Sequence, residues 1–304
     1  MKIAYAFRRC ASYPYNGGGL PTDTTDRQRF LTHAKKIGFD GIELPGMNLP
    51  DPEVKTLRSQ LEDAGIPCVA IRGGGGAAAD PQVAAANKQR MIDAVHFAAK
   101  VGAGIVNSTV TTPPNDPGGK GTYRGESVSQ GSSRQASAED YERTASAVSE
   151  VAVIAADLGV EISIEIHQNS IADNSQTTLR LLERIDAPNV GINPDLGNVY
   201  WTYDIPEETC EAAITAVAPH VNYWHCKSLY RVHIPNLETA IYVQVPLPDG
   251  EIDYRFAIAA LLDVNYDGYL AIEGVRDGDQ FHQDGRSVAY VKSVLDDLHS
   301  VTPD

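Results

Sequence analysis

Glu161-Ile-Ser-Ile-Glu-Ile-His167 decides the fold. Successive side chains of a strand point to opposite faces, so Ile162, Ile164 and Ile166 form one apolar set and Ser163, Glu165 and His167 the other. In a barrel one such set packs against helices and the other faces the axis. Two ionisable side chains aimed into that core are costly unless something compensates them. Seven further apolar runs share this character: Lys2–Phe7, Gly41–Pro45, Pro67–Arg72, Gly104–Ser108, Val190–Asp195, Val221–Lys227 and Tyr269–Glu273. Between and after them the spacing predicts helices over Asp26–Ile37, Pro52–Ala64, Gln82–Val101, Ala138–Leu158, Thr177–Ile185, Glu207–Val217, Tyr254–Leu262 and Arg286–Leu298. Glycines close several of them, as at Lys36-Ile-Gly38 and Leu158-Gly159, and Asp51, Asp80 and Ser137 read as N-caps. Eight strand–helix units imply a (β/α)8 barrel occupying residues 1–304 as one domain, with no dividing linker.

The rival architecture, a doubly wound open sheet, usually carries a Gly-x-Gly-x-x-Gly turn after its first strand. Asn16-Gly-Gly-Gly19 lacks that spacing, and Gly73–Gly76 has no phosphate-loop lysine, so both read as loops. Two connections exceed a simple turn: Thr111–Ala136, rich in Gly, Ser, Pro and Thr, and Ser228–Gly250. They follow the fourth and seventh strands and should lie as long loops over the carboxyl ends, where barrel enzymes place their chemistry.

The chain has 304 residues, 25 Lys+Arg against 40 Asp+Glu, and a formal charge of −15. That balance disfavours nucleic-acid binding, which needs a basic face. Hydrophobic residues at 42% and charged residues at 21% are globular values, and no apolar run is long enough to span a membrane. Cys10, Cys68, Cys210 and Cys226 show no Cys-x-x-Cys spacing, and MKIAYAFRRC does not read as a secretory signal, so reduced thiols in the cytoplasm are expected.

The inward parity extends to three more strand ends. Val190 and Ile192 face helices, which turns Asn193 and Asp195 inward; Leu270 and Ile272 leave Glu273 inward; His225 and Lys227 share a face. Glu165, Asp195, His225 and Glu273 thus form an oxygen-rich set with one nitrogen, suited to Mn²⁺ first and to Mg²⁺ or Co²⁺ as alternatives. Asp195 also reads as a cap for the segment after its strand. Lys227, Arg276, Arg72 and Arg8 stand at strand ends where they can bind hydroxyls or an anionic group, and Trp201, Tyr203 and Tyr230 can stack on a sugar or an aglycone.

The chain resembles the xylose isomerase-like barrels of the sugar phosphate isomerase/epimerase superfamily. The resemblance rests on Gly38-Phe-Asp-Gly-Ile-Glu43, Ile164-Glu-Ile-His167, Asn193-Pro-Asp-Leu-Gly-Asn198, Trp224-His-Cys-Lys227, Gly250-Glu-Ile-Asp253 and Ala271-Ile-Glu-Gly274. It implies metal ligands in the order of Glu165, Asp195, His225 and Glu273, as in the tagatose/psicose epimerase branch, with Glu165 and Glu273 as acid and base. The implied reaction removes a proton beside a carbonyl of a sugar or oxo-sugar, giving an enediolate that the ion stabilises. Asn198 replaces the histidine usual in that branch and is expected, with Lys227, Arg276, Arg72 and Trp201, among the substrate-binding residues. The Glu165-x-His167 pair resembles a second branch, the large subunit of C-glycoside deglycosidases. That branch implies His167 as base, cleavage of the carbon–carbon bond of 3-oxo-C-glycosides (a lyase reaction) and a small β subunit as partner. A carbohydrate or glycoside substrate and a homo-oligomer are expected in either case. A nuclease of the same barrel type would need more histidines and basic loops, and a metal-free sugar-binding barrel is the non-enzymatic rival.

Overall fold

The computed structural model describes residues 1–8, 12, 20, 24–73, 84–110, 121–123, 126–128, 132–168, 170–201, 206–237 and 239–301. In chain order the strands are β1 (Lys2–Ala6), β2 (Gly41–Pro45), β3 (Cys68–Gly73), β4 (Ile105–Ser108), β5 (Gly121–Tyr123), β6 (Glu126–Val128), β7 (Glu161–Glu165), β8 (Val190–Asn193), β9 (Trp224–Cys226), β10 (Ser228–Ile234), β11 (Thr239–Val245) and β12 (Tyr269–Ile272). The helices are α1 (Thr24–Ile37), α2 (Asp51–Asp63), α3 (Ala84–Val101), α4 (Ser132–Gln135), α5 (Ala138–Asp157), α6 (Ser175–Ile185), α7 (Leu196–Tyr200), α8 (Cys210–Val217), α9 (Tyr254–Asp263) and α10 (Gln280–Val301).

Eight strands pair in parallel in the order β8-β7-β4-β3-β2-β1-β12-β9, the arrangement of a (β/α)8 barrel. The ring closes thinly between its last neighbours. A single parallel bridge joins Ile192 to Val221, and the Asn222 amide donates to the Ile192 carbonyl at 3.3 Å. The Asn222 side chain extends this closure by donating to the Ile162 carbonyl at 3.1 Å. Only glycine at 191 leaves room for it, because a Cβ there would stand 2.4 Å from Asn222 Cγ.

The expected parity appears in the packing. Ile162, Ile164, Ile192, Leu270 and Ile272 join one core with helix residues such as Val148, Val151, Ala155 and Leu261. Trp224 and Cys226 also point to that side, so Cys226 belongs to the core although it adjoins His225. Trp224 is fully buried, with its ring 5.9 Å from that of Tyr254. We predict that Trp224→Ala lowers stability by about 3–5 kcal/mol, read as an earlier denaturation midpoint; an unmoved midpoint would contradict this packing.

Several element ends differ from the sequence reading. β7 stops at Glu165, β8 at Asn193 and β12 at Ile272, so His167, Asp195 and Glu273 sit just past the ladder. Asp51 is the first residue of α2 and Pro50 its N-cap; proline has no side-chain acceptor, and the Glu53 and Val54 amides donate to the Pro50 carbonyl at 2.9 and 3.1 Å. α8 begins at Cys210, not Glu207, because Thr209 Oγ1 accepts from the Ala212 amide at 3.1 Å. α10 starts at Gln280, six residues before Arg286. Ser137 does cap α5, in a reciprocal capping box with Asp140. The Asp80 cap, Asn16–Gly19, residues 74–76, Cys10 and Tyr203 lie outside the described residues, as does most of 111–131.

The largest correction concerns the two insertions. Ser228–Gly250 is not a structureless loop: β10 and β11 form an antiparallel hairpin in register from Ser228↔Val245 to Ile234↔Thr239. Thr111–Ala136 contributes β5 and β6, and β11 pairs with β5 through Ile241↔Thr122, giving a second sheet in the order β10-β11-β5-β6. Strand pairing satisfies backbone groups that long loops would leave to water. One hairpin face, Leu229, Ala240 and Tyr242, packs on Tyr200 and Trp201; by alternation Tyr230 faces outward, away from any substrate in the mouth. No helix among the described residues is long and apolar enough to cross a membrane.

Candidate metal centre

Glu165, Asp195 and His225 stand at the carboxyl ends of three neighbouring strands, all buried, each offering a ligand atom within 4.8 Å of the others. Their orientations have traceable causes. Asn107, inward on β4, donates through Nδ2 to Glu165 Oε2 at 2.7 Å, and Asn198 Nδ2 donates to Glu165 Oε1 at 3.1 Å. Asn193 links Asn107 to the His225 backbone, donating to Asn107 Oδ1 (3.1 Å) and accepting from the His225 amide (2.6 Å). Asp195 plays both parts open in its sequence: Oδ1 caps α7 by accepting from the Gly197 amide at 3.0 Å, which leaves Oδ2 for the site.

Glu43 was not among the residues singled out for the site. Its carboxylate lies 2.6 Å from His225 Nε2 and 2.9 Å from Arg72 Nε. The signal was available, since Ile42 and Leu44 flank it and both are core residues. With Nε2 held by a carboxylate, His225 turns Nδ1 toward Glu165 Oε2, 3.5 Å away, where it has no hydrogen-bond partner. A histidine whose outer nitrogen is tied to a carboxylate and whose inner nitrogen faces carboxylate oxygens is the usual setting of a metal-ligating imidazole. The donor set therefore fits a hard divalent cation.

Glu273 is held differently. Lys227 Nζ lies 3.0 Å from Glu273 Oε2 and 2.8 Å from Asp195 Oδ2, while Arg72 and Arg276 approach Glu273 Oε1 at 3.7 and 3.8 Å. The fourth expected ligand thus belongs to the same cluster but is bridged to it by an ammonium. Trp201 packs at 5.7 Å from the Tyr242 ring with Lys227 Nζ 5.4 Å from its own. The Asn198 amide is engaged by Glu165 and by the Ile166 carbonyl at 2.9 Å, which makes it a positioning group for Glu165. Arg8 is engaged elsewhere: it is buried against Asp284 at 2.6 Å and the Val275 carbonyl at 3.2 Å, while still feeling the charge of Glu273.

His167 Nδ1 lies 2.5 Å from the Gln168 carbonyl oxygen. A carbonyl only accepts, so Nδ1 carries the hydrogen and Nε2 keeps its lone pair. Burial lowers the His167 pKa, with Glu165 opposing and Lys227 adding to the shift, which leaves a neutral imidazole. Burial alone would raise Glu165 and Glu273, but His225 with His167 and Lys227 for the first, and Lys227 with Arg72, His225 and Arg276 for the second, together outweigh it and hold both below the usual carboxylate range. Asp195 is pushed up to about 6 by burial, against the pull of Lys227. Burial disfavours the His225 imidazolium, yet Glu43 and Glu165 prevail and raise its pKa well above the ordinary histidine value. Four buried carboxylates face two fixed cations, Arg72 and Lys227, and a divalent ion beside a neutral His225 would balance them.

A pH dependence follows. A cation in the triad would take the His225 lone pair, so its binding would expel a proton and strengthen as pH rises; below about 6 protonation of Asp195 would weaken it further. We predict a Mn²⁺-binding heat that varies with the ionisation enthalpy of the buffer. Identical heats in all buffers would contradict the charged His225.

The chain belongs to the xylose isomerase-like TIM barrel family, whose description matches residues 31–294. A ketose 3-epimerase of Arthrobacter globiformis is 25% identical over 250 residues, covering 79% of this chain and 74% of the epimerase. Among solved structures, a xylose isomerase-like TIM barrel protein from Mycobacterium smegmatis in complex with magnesium has a TM-score of 0.75 at 20% identity, covering 97% of this chain and 96% of that one. An L-ribulose 3-epimerase gives 0.72 at 18% identity, with 99% and 98% covered. The two structural likenesses are of fold.

Proposed function

We propose that this protein is a divalent-metal-dependent sugar epimerase or isomerase that moves a proton at a carbon beside a carbonyl. The buried triad of Glu165, Asp195 and His225 at the barrel mouth carries the reading, with Glu43 fixing the imidazole. The relationship to a ketose 3-epimerase supports the substrate class, and the magnesium of a structural neighbour supports the class of ion. Mn²⁺ is the preferred ion, Mg²⁺ and Co²⁺ being alternatives for the same oxygen-rich donor set. A bound divalent ion supplies positive charge for vicinal substrate oxygens and lowers the cost of charge developing on them.

The chain's own residues do the rest. Glu273, kept ionised by Lys227 and Arg72, stands as one proton acceptor, and Glu165, whose charge acts on the same Lys227, as its counterpart. His167, neutral with Nε2 free, is a further base within the same mouth. Lys227, Arg72 and Arg276 are the donors for substrate oxygens. The β10–β11 hairpin, packed on Trp201, limits water at the lysine side.

The test combines Mn²⁺ titration calorimetry with incubation of the loaded protein and ketohexoses or ketopentoses in D₂O. Deuterium should enter at the carbon beside the carbonyl and an epimer should accumulate. Metal binding without exchange into any ketose would overturn the substrate class, and the absence of metal binding would overturn the centre itself.

A further inference from the structure

The ammonium of Lys227 occupies a built position. Its carbonyl accepts from Tyr254 Oη at 2.6 Å, which pins the backbone as the chain leaves β9 for the hairpin. Its stem runs over Gly197, where an added Cβ would meet Lys227 Cγ at 2.3 Å and Cε at 3.0 Å. Only a residue without a side chain at 197 leaves this path open. At its end Nζ bridges Asp195 Oδ2 and Glu273 Oε2. The other Asp195 oxygen is committed to the Gly197 amide. Asp195 Oδ2 makes no such backbone bond, so it is the oxygen more open to a cation in the triad, and Lys227 already stands on it.

We infer that Lys227 is an internal stand-in cation: it neutralises Asp195 and Glu273 when the centre is metal-free, and a divalent ion displaces its ammonium from Asp195 Oδ2. The inference rests on the reading of the triad as a metal centre. An ammonium and a divalent ion on one buried carboxylate oxygen repel each other strongly, so binding the ion weakens the ion pair and favours departure of the ammonium. The displaced ammonium keeps Glu273 and the face of Trp201 as partners, which leaves its remaining protons for a substrate oxygen. Lys227 thereby sets how tightly the ion is held and keeps the buried carboxylates compensated until it arrives.

Mn²⁺ titration and thermal melts of wild type, Lys227→Met and Lys227→Arg test this without an activity readout. Lys227→Met should bind Mn²⁺ on the order of tenfold more tightly, melt lower than wild type without metal, and gain more from added Mn²⁺. Lys227→Arg keeps the charge and should not tighten binding. Unchanged or weaker binding by the Met variant, or equal tightening by the Arg variant, overturns the inference while the metal centre stands; a wild type that takes up no Mn²⁺ overturns both. Should Lys227→Met not fold, Lys227→Gln carries the same comparison, and a crystal of the wild type grown with Mn²⁺ gives an independent answer. There, Nζ should have left hydrogen-bond distance of Asp195 Oδ2; an ammonium still seated on it beside bound Mn²⁺ refutes displacement.

Discussion

A Glu165→Gln variant should lose Mn²⁺ uptake in titration calorimetry and show turnover reduced at least about 10³-fold. The environment makes the isosteric change severe. Both carboxylate oxygens accept from amide donors, Asn107 Nδ2 and Asn198 Nδ2. A glutamine has one acceptor and one donor group, so its NH₂ must face one of these donors and leave a buried polar group unsatisfied. His225 loses at the same time the charge that faces its Nδ1 at 3.5 Å. Circular dichroism should report a retained fold, because the core packing of Ile162 and Ile164 lies on the opposite face of β7. Wild-type Mn²⁺ affinity in this variant would remove Glu165 from the centre.

The second large effect is expected at Glu273. Glu273→Gln should abolish measurable turnover while the barrel remains folded, since the residue lies beyond the end of β12 and outside the apolar core. The carboxylate is the meeting point of Lys227, Arg72 and Arg276. A neutral amide leaves those cations without their shared counter-charge and takes away the ionised acceptor, whose contribution to rate is typically 10²–10⁴-fold for a positioned base. Deuterium exchange from D₂O into substrate reads this step directly; exchange at the wild-type rate would assign the proton transfer to another group, with His167 the next to test.

Much of this centre was legible because strand parity survives without tertiary information. Isoleucines at 162, 164 and 192 and the Leu270/Ile272 pair must face helices, so Glu165 and Asn193 on the ladder, with Asp195 and Glu273 just beyond it, had to gather at one end of the barrel. The same parity pointed to Glu43 between Ile42 and Leu44, yet a glutamate in one strand has no visible purpose until the imidazole it holds is known. That partner lies 182 positions away.

The repeat of apolar runs and helical stretches by itself determined the (β/α)8 architecture and the end at which its ionisable groups collect, because both follow from short-range alternation and spacing. Tertiary structure alone decided that the two insertions join in a second sheet, that Asn222 helps to close the ring over Gly191, and that a lysine rather than empty space separates Asp195 from Glu273. Those outcomes depend on contacts between segments far apart in the chain. Local patterning assigns a side chain to a face, but which charge it meets there is set by the neighbour that the closed barrel brings within a few ångströms.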